Sequence, residues 1–586
     1  MTASGATPRT LFYLLLTVLG IYHFQLLGQG ALAFPDERVS IYGLKAIDAL
    51  LEGRLGDAAG AVSGWGARPA ENLIRMPAEA VQKAIEYRTG RSSLSARSLV
   101  IPTVQNVVVA LLVPLVFFFL VRRWLGESSG LLAATVFALL SVNHFWVRHI
   151  VPYDMAILVH LLALWSAIDV RPGAAGPGFW RLVAAMALPG VLLLAAYPVV
   201  FFRYRGLGVW IALGLWTICG AGRFLLRSRF EGAAFHDLFR CGLLSGLGLA
   251  FYPAYYSFVP IVGAVIACAG AADRLIAITR ASVERAVVFT LGVSSVVFGF
   301  EFLSRLGGVS YLGGARLLAR TLDQGDYSEG FVYLFKWLAD TDPWIAWWLL
   351  PLGLIGSATL ISDGARGRLN EAEASMARAV AFLWLLYLIY GTQSTILHRM
   401  TFSGRYARMY VPALVIPAAY LVSRIPSSSM RRAVTVAAVF LSAVNMTDFA
   451  IRYSRAAFPV NEVIASGIRF EDLKAERRVF ESEIVPDYNL PVEPLTGGHS
   501  MRTLAGDERF TLVNFGWFDL RGHSYAPYAP RAGERLIRDR PHFQCFVNSL
   551  YEGFGMKRRQ DCRDHGFRLR IYSLDPNDTP EDSLKR

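Results

Sequence analysis

Asp36 and Glu37 stand side by side just beyond an apolar run, Leu11 to Gly28, that is long enough to cross a bilayer. A carboxylate at a membrane boundary is costly unless it faces water or a site, so the pair marks a place where chemistry is expected. A further carboxylate, Asp154, follows Arg148, His149, Pro152 and Tyr153 at the start of another apolar run. Two carboxylates converging from different loops at one membrane surface can divide labour: one takes a proton from an incoming nucleophile while the other orients a substrate or a cation. For Asp154 the competing reading is a helix N-cap, which also favours a carboxylate at that point.

The elements that must position these residues are membrane spans. The 586 residues are 54% hydrophobic and 18% charged, with a mean hydropathy of +0.39, which is apolar for a soluble protein of this size. Apolar runs of spanning length recur from Leu11 to Phe449, and their number is about thirteen. Arginine collects at Arg122-Arg123, Arg171 and Arg181, Arg223 to Arg229, Arg274 to Arg285, Arg366 and Arg368, and Arg431-Arg432. These positions fall on one side if the N-terminus is cytoplasmic, and the expected location of this multi-pass chain is the plasma (inner) membrane. The polar loop 31–96 that carries Asp36 and Glu37, the stretch around Asp154, and the tail are then exterior. Arg203, Arg205 and the segment His398 to Arg408 break that charge pattern, so an anionic partner is expected for some of these cations. Ala31-Leu32-Ala33 resembles a signal-peptidase site, but the first span is expected to stay as an anchor for the acidic pair.

The chain divides into a transmembrane part, 1–452, and an exterior tail, 453–586, where apolar runs shorten and turn residues such as Thr496-Gly497-Gly498 appear. Arg478 to Ile484, Phe510 to Phe515 and Phe567 to Ser573 read as strands and Arg531 to Phe554 as largely helix, giving a small α/β domain. Cys545 and Cys562, the only cysteines of the tail, are expected to form a disulfide in an oxidising exterior compartment. Cys219, Cys241 and Cys268 read as small core residues. No metal-ligand or phosphate-loop signature is present, and the basic excess of +13 reads as topology signal, with no nucleic-acid partner.

The order Phe34-Pro35-Asp36-Glu37, Ala67-Arg68-Pro69, Ser95-Ala96-Arg97 and Arg122-Arg123-Trp124-Leu125-Gly126 resembles the start of the polyprenyl-phosphate-sugar-dependent membrane glycosyltransferases of the GT-C fold. Within them it is most similar to the protein O-mannosyltransferase and lipid A aminoarabinose transferase group. Ser141 to Trp165 resembles the segment holding that group's second acidic residue, Gly246 to Pro260 resembles its GLA-type helix, and Arg405-Tyr406 ahead of Pro412 resembles its late RY element. The likeness is good over the first third and loose beyond it. Tyr252-Pro253 departs from the group, which commonly has a Lys there, as does an apparent extra hairpin from Arg181 to Gly222.

The resemblance implies a helical GT-C-like bundle and an inverting transfer of one sugar from a polyprenyl-phosphate donor to a glycan, lipid or protein acceptor at the exterior face of the bilayer. Asp36 would be the general base, Glu37 would place the acceptor, and Asp154 would support the site. Arg68, Arg97, Arg148 and Arg405 are the donor-phosphate candidates, with His149, Tyr153 and Tyr406 beside them. A lipid phosphate is already a good leaving group, so no cofactor is required; a divalent cation at the acidic pair is compatible with the chemistry. The rival classes are a transporter or flippase of a charged or lipid-linked substrate and a non-catalytic assembly factor.

Overall fold

The computed structural model describes residues 8–27, 42–63, 68–89, 100–168, 170, 233–269, 275–276, 278–322, 330–398, 404–454, 462, 473–476, 510–514, 530–541 and 568–575. Asp36, Glu37, Arg97, Cys219, Cys545 and Cys562 lie outside these residues, and for Arg405 only the backbone is described.

The helices of eight residues or more run in chain order as α1 (Pro8–Gln25), α2 (Tyr42–Leu51), α3 (Leu55–Val62), α4 (Pro69–Thr89), α5 (Val100–Leu125), α6 (Glu127–Ala138), α7 (Tyr153–Ile168) and α8 (Ala233–Phe251). They continue as α9 (Phe258–Ala267), α10 (Arg280–Leu306), α11 (Tyr311–Leu322), α12 (Tyr333–Thr341), α13 (Pro343–Ala365), α14 (Glu371–Thr395), α15 (Pro412–Ser423) and α16 (Ser428–Ser454). The first expected run, Leu11 to Gly28, overlaps α1. Five helices are long and apolar enough to cross a membrane: Val100–Leu125, Arg280–Leu306, Pro343–Ala365, Glu371–Thr395 and Ser428–Ile451. A sixth candidate is α6 with Val142–Arg148, a pair bent by 62°. Three more apolar helices, Tyr153–Ile168, Pro253–Ala267 and Arg408–Ser423, are shorter than a span, so among the described residues the count is five or six.

Helix ends that carry arginine meet at one end of the bundle. The Trp124 indole donates to Ser375 Oγ at 2.8 Å, Arg378 Nε donates to the Leu275 carbonyl at 3.0 Å, and Arg424 pairs with Glu373 at 3.3 Å. Toward the opposite end, α4 is folded inside out. It buries Glu71, Asn72, Arg75 and Glu79 while leaving Ile74, Val81 and Ile85 exposed. The buried charges recur every fourth residue and therefore share one face, and the outward apolar face suits a lipid neighbour better than water.

α8 crosses α10 closely. A Cβ on Gly242 would lie 2.1 Å from the Phe289 carbonyl oxygen, and one on Gly292 would lie 2.4 Å from that of Phe239. With Gly246 four residues on, this is a small-xxx-small contact of the kind that lets helices approach closely in lipid.

In the tail, β1 (Leu473–Glu476), β2 (Phe510–Asn514), β3 (Arg535–Pro541) and β4 (Arg568–Ser573) form one sheet in the order β1-β2-β4-β3. β1 runs parallel to β2, and β4 runs antiparallel to both β2 and β3. The strands expected at Phe510 to Phe515 and Phe567 to Ser573 are present, while Arg478 to Ile484 lies outside the described residues. The helix expected from Arg531 is corrected over 535–541, which is strand. Gly533, at φ +87°, turns the chain into it, and its many charges are tolerated because β3 is an edge strand. There Asp539 faces Arg570 across the ladder at 3.5 Å.

A leucine at Gly242 should force α8 from α10 and cost about 1–3 kcal/mol or more. Thermal unfolding of the detergent-purified protein should show a lowered midpoint; an unchanged midpoint would mean the two helices are not held at that crossing.

Candidate functional site

The end of the bundle away from the arginine-bearing helix ends is built around a bend. α6 stops at Ala138, the chain turns through Val142–Phe145 and Trp146–Arg148, and His149 is extended before α7 starts at Tyr153. Asp342, buried at the start of α13, holds the near side of this bend. Its carboxylate accepts hydrogen bonds from the Ser141 amide at 2.7 Å, from Asn445 Nδ2 at 2.6 Å and from Thr341 Oγ1 at 2.8 Å. Arg75 holds the far side, donating to Glu71 Oε1 at 2.9 Å, Asn106 Oδ1 at 2.9 Å and the Val151 carbonyl at 3.0 Å. Asn106 in turn donates to the His149 carbonyl at 2.6 Å. Backbone groups that would be costly to bury unpaired are thereby satisfied by side chains from three other helices.

Asp154, in the first turn of α7, is buried and forms an ion pair with Arg408. Arg408 Nε also donates to Asn143 Oδ1 at 2.9 Å, and its Nη1 has no hydrogen-bond partner. Asp154 is thus an anchor for a guanidinium, and its carboxylate is engaged. Arg148 is only 2% exposed. Its Nη2 donates to the Tyr22 hydroxyl at 3.3 Å, and its guanidinium lies 3.9 Å from the centre of the Tyr453 ring. Among the described residues no carboxylate pairs with Arg148, and its Nε has no partner.

The other expected residues fall in the same region. Arg68 is buried with its guanidinium 5.2 Å from the Tyr252 ring centre, a cation–π distance. Tyr252 meets Tyr153 edge-on at 4.9 Å, and Tyr153 meets Trp146 at 4.7 Å. His149 is buried with Nε2 3.4 Å from the Tyr453 hydroxyl. Tyr406 is buried two residues before Arg408. His23, at the end of α1, hydrogen-bonds His144 at 2.9 Å, so the chain leaves α1 beside this region and Arg68 lies where it returns.

Sequence reasoning did not single out Arg75, Glu79, Asn143, Asp342 or Arg408. Arg408 had a signal, since it belongs to the cation cluster that broke the charge pattern. Glu71, Arg75 and Glu79 had one in their four-residue spacing. Asp342 had none beyond lying before a proline that opens a helix. Glu79 is pushed up to about 8 by burial, with Glu71 acting in the same direction and Arg75 against both. Among the described residues no three His, Cys, Asp or Glu side chains gather as metal ligands. No family model matches the chain, and no curated protein matches it significantly. The fold and this region define a helical protein with several membrane-compatible helices and a buried, arginine-rich polar centre at one end.

Replacing Asp154 by Asn should leave Arg408 without its counter-charge and cost about 3–5 kcal/mol, the scale for breaking a buried pair. In a double-mutant cycle with Arg408→Gln the two losses should be strongly non-additive; additive losses would show the pair is not coupled.

For Glu79 the folded state keeps its proton between the ordinary 4.5 and about 8, where the unfolded chain loses it. Stability should therefore fall as pH rises through that window. Glu79→Gln should gain on the wild type in melting temperature from pH 5 to pH 8; a difference independent of pH would contradict the assignment.

Proposed function

We propose that the chain is an integral-membrane inverting glycosyltransferase that moves one sugar from a polyprenyl-phosphate donor to an acceptor hydroxyl. The observation that carries this reading is Arg148, a guanidinium buried with no carboxylate pairing it among the described residues. An uncompensated buried charge is expensive, so a site that keeps one is suited to an anion supplied by a ligand. Arg408 offers a second inward donor through its unpaired Nη1, and Arg68 lies near through Tyr252 and Tyr153. A phosphate monoester meets planar, multidentate guanidinium groups well.

In this reading the acceptor oxygen attacks the anomeric carbon as the bond from that carbon to the phosphate oxygen breaks. The electron pair leaves with the polyprenyl phosphate, whose growing charge is held by Arg148 and Arg408, with Arg68, Arg97 and Arg405 as further cations. The acceptor proton passes to Asp36, and Glu37 orients the acceptor. Asp154 fixes Arg408 and takes no proton. The nine residues from Leu27 to Asp36 span at most about 30 Å, a reach that lets the acidic pair arrive from the end of α1 beside His144 and Arg148. The product phosphate and the inverted glycoside balance the reaction without a cofactor; a divalent cation at Asp36 and Glu37 would be an addition to this scheme.

The test uses the lipid-linked sugar that co-purifies with the protein, offered back as donor. Asp36→Asn should lower turnover by about a hundred- to ten-thousandfold, and Arg148→Gln should weaken binding of polyprenyl monophosphate by about ten- to a hundredfold, the worth of a charge-assisted hydrogen bond. Full turnover in Asp36→Asn would place the base elsewhere, and lipid movement across vesicles without transfer would make the chain a flippase.

A further inference from the structure

At the opposite end of the bundle, α1, α6, α15 and α16 enclose a groove of about 670 Å3. Its charge is all at one end. Ser128, Ser423, Arg431 and Arg432 form the rim, Thr135 and Thr435 lie along the walls, and Leu139 and Ala443 are the lining residues farthest along the chain from that rim on the α6 and α16 sides. From Ser128 to Leu139 and from Arg432 to Ala443 the helices advance eleven residues each, about 17 Å. That is close to half of a hydrocarbon core about 30 Å thick, so the groove is one leaflet deep. Its walls are open to the side: Leu11 is 56% and Val436 62% exposed.

The rim is cationic. Arg431 donates to the Ser423 carbonyl at 3.3 Å, and among the described residues no carboxylate pairs with Arg431 or Arg432. The nearby Arg9 and Glu127 satisfy each other. We propose that this groove is a binding site for one anionic glycerophospholipid, its phosphate between Arg431 and Arg432 and an acyl chain along α6 and α16. A headgroup with its own cation would bring that cation against the arginine pair, whereas an acidic headgroup adds only attraction. The one-leaflet depth and the apolar floor of Leu139 and Ala443 suit an acyl chain better than a second copy of this chain, whose spanning helices would need a groove running the full thickness. On the topology expected from the arginine distribution, this is the cytoplasmic leaflet, away from the transfer site, and the lipid site stands whether or not the transfer reading does.

The full chain in dodecyl maltoside, titrated with dioleoylphosphatidylglycerol or dioleoylphosphatidylcholine and weighed intact by native mass spectrometry, tests it. The wild type should retain one phosphatidylglycerol at concentrations where phosphatidylcholine is lost. Arg431→Gln with Arg432→Gln should lower that retention by about thirtyfold. Ala443→Trp, which fills the floor and keeps the rim charge, should lower it as well, and it decides the matter alone if the double variant fails to fold. Equal retention of the two lipids, retention unchanged in either folded variant, or a dimer in place of the lipid adduct would overturn the proposal.

Discussion

Burying a guanidinium away from water is among the costliest things a fold can do, and it is tolerated where hydrogen bonds and counter-charge replace the lost solvent. The region around the bend at Ala138 to Tyr153 is organised by that requirement. Arg75 is answered by Glu71, Asn106 and the Val151 carbonyl. Arg408 is answered by Asp154 and Asn143. Arg148 is met by a hydroxyl and an aromatic face alone. Each answer ties together helices far apart in sequence, so the same contacts that make the cations bearable also place α1, α4, α5, α7 and α16 around one polar centre.

The bend itself needs this scaffolding. A chain that stops being helical inside an apolar bundle leaves buried amides and carbonyls without helical partners, and such backbone is tolerated only where other protein groups satisfy it. Asp342 at the start of α13, Arg75 from α4 and Asn106 from α5 supply the partners. The consequence for function is preorganisation. In the proposed transfer the donors would be held before any substrate arrives, so little reorganisation would be needed as phosphate charge develops. The groove at the other end has the contrary design, with an apolar body, a shallow charged rim and side walls open to the surroundings.

Much of this was legible in the sequence, for reasons that differ between residues. Apolar runs map onto helices because helix is the only open-chain element that satisfies its own backbone in lipid. Their true lengths were less legible, since Asn143 sits inside a run, Gly130 to Phe145, that looks continuous, and the 62° break is invisible to hydropathy. Arg68, Arg148, His149, Tyr153, Asp154 and Tyr406 were picked out from motif order, and all are buried in the described structure. The engaged state of Asp154 was not foreseeable, because its partner Arg408 lies 254 residues away. At 535–541 a charged segment was read as helix; charge says little about period when the strand is an edge, where charged side chains are tolerated. The Asp342 cluster left no trace, since a buried acceptor is recognised by what points at it.

The central claim is that the buried guanidinium groups around the bend form an anion site for a lipid phosphate. An electron cryo-microscopy map of the protein with added polyprenyl monophosphate addresses it directly. The account predicts phosphate density within hydrogen-bond reach of Arg148 and of the free Nη1 of Arg408, with the prenyl chain leaving into the membrane beside them. A map with phosphate elsewhere, or with Arg148 paired to a carboxylate of the chain itself and closed to ligand, would contradict it.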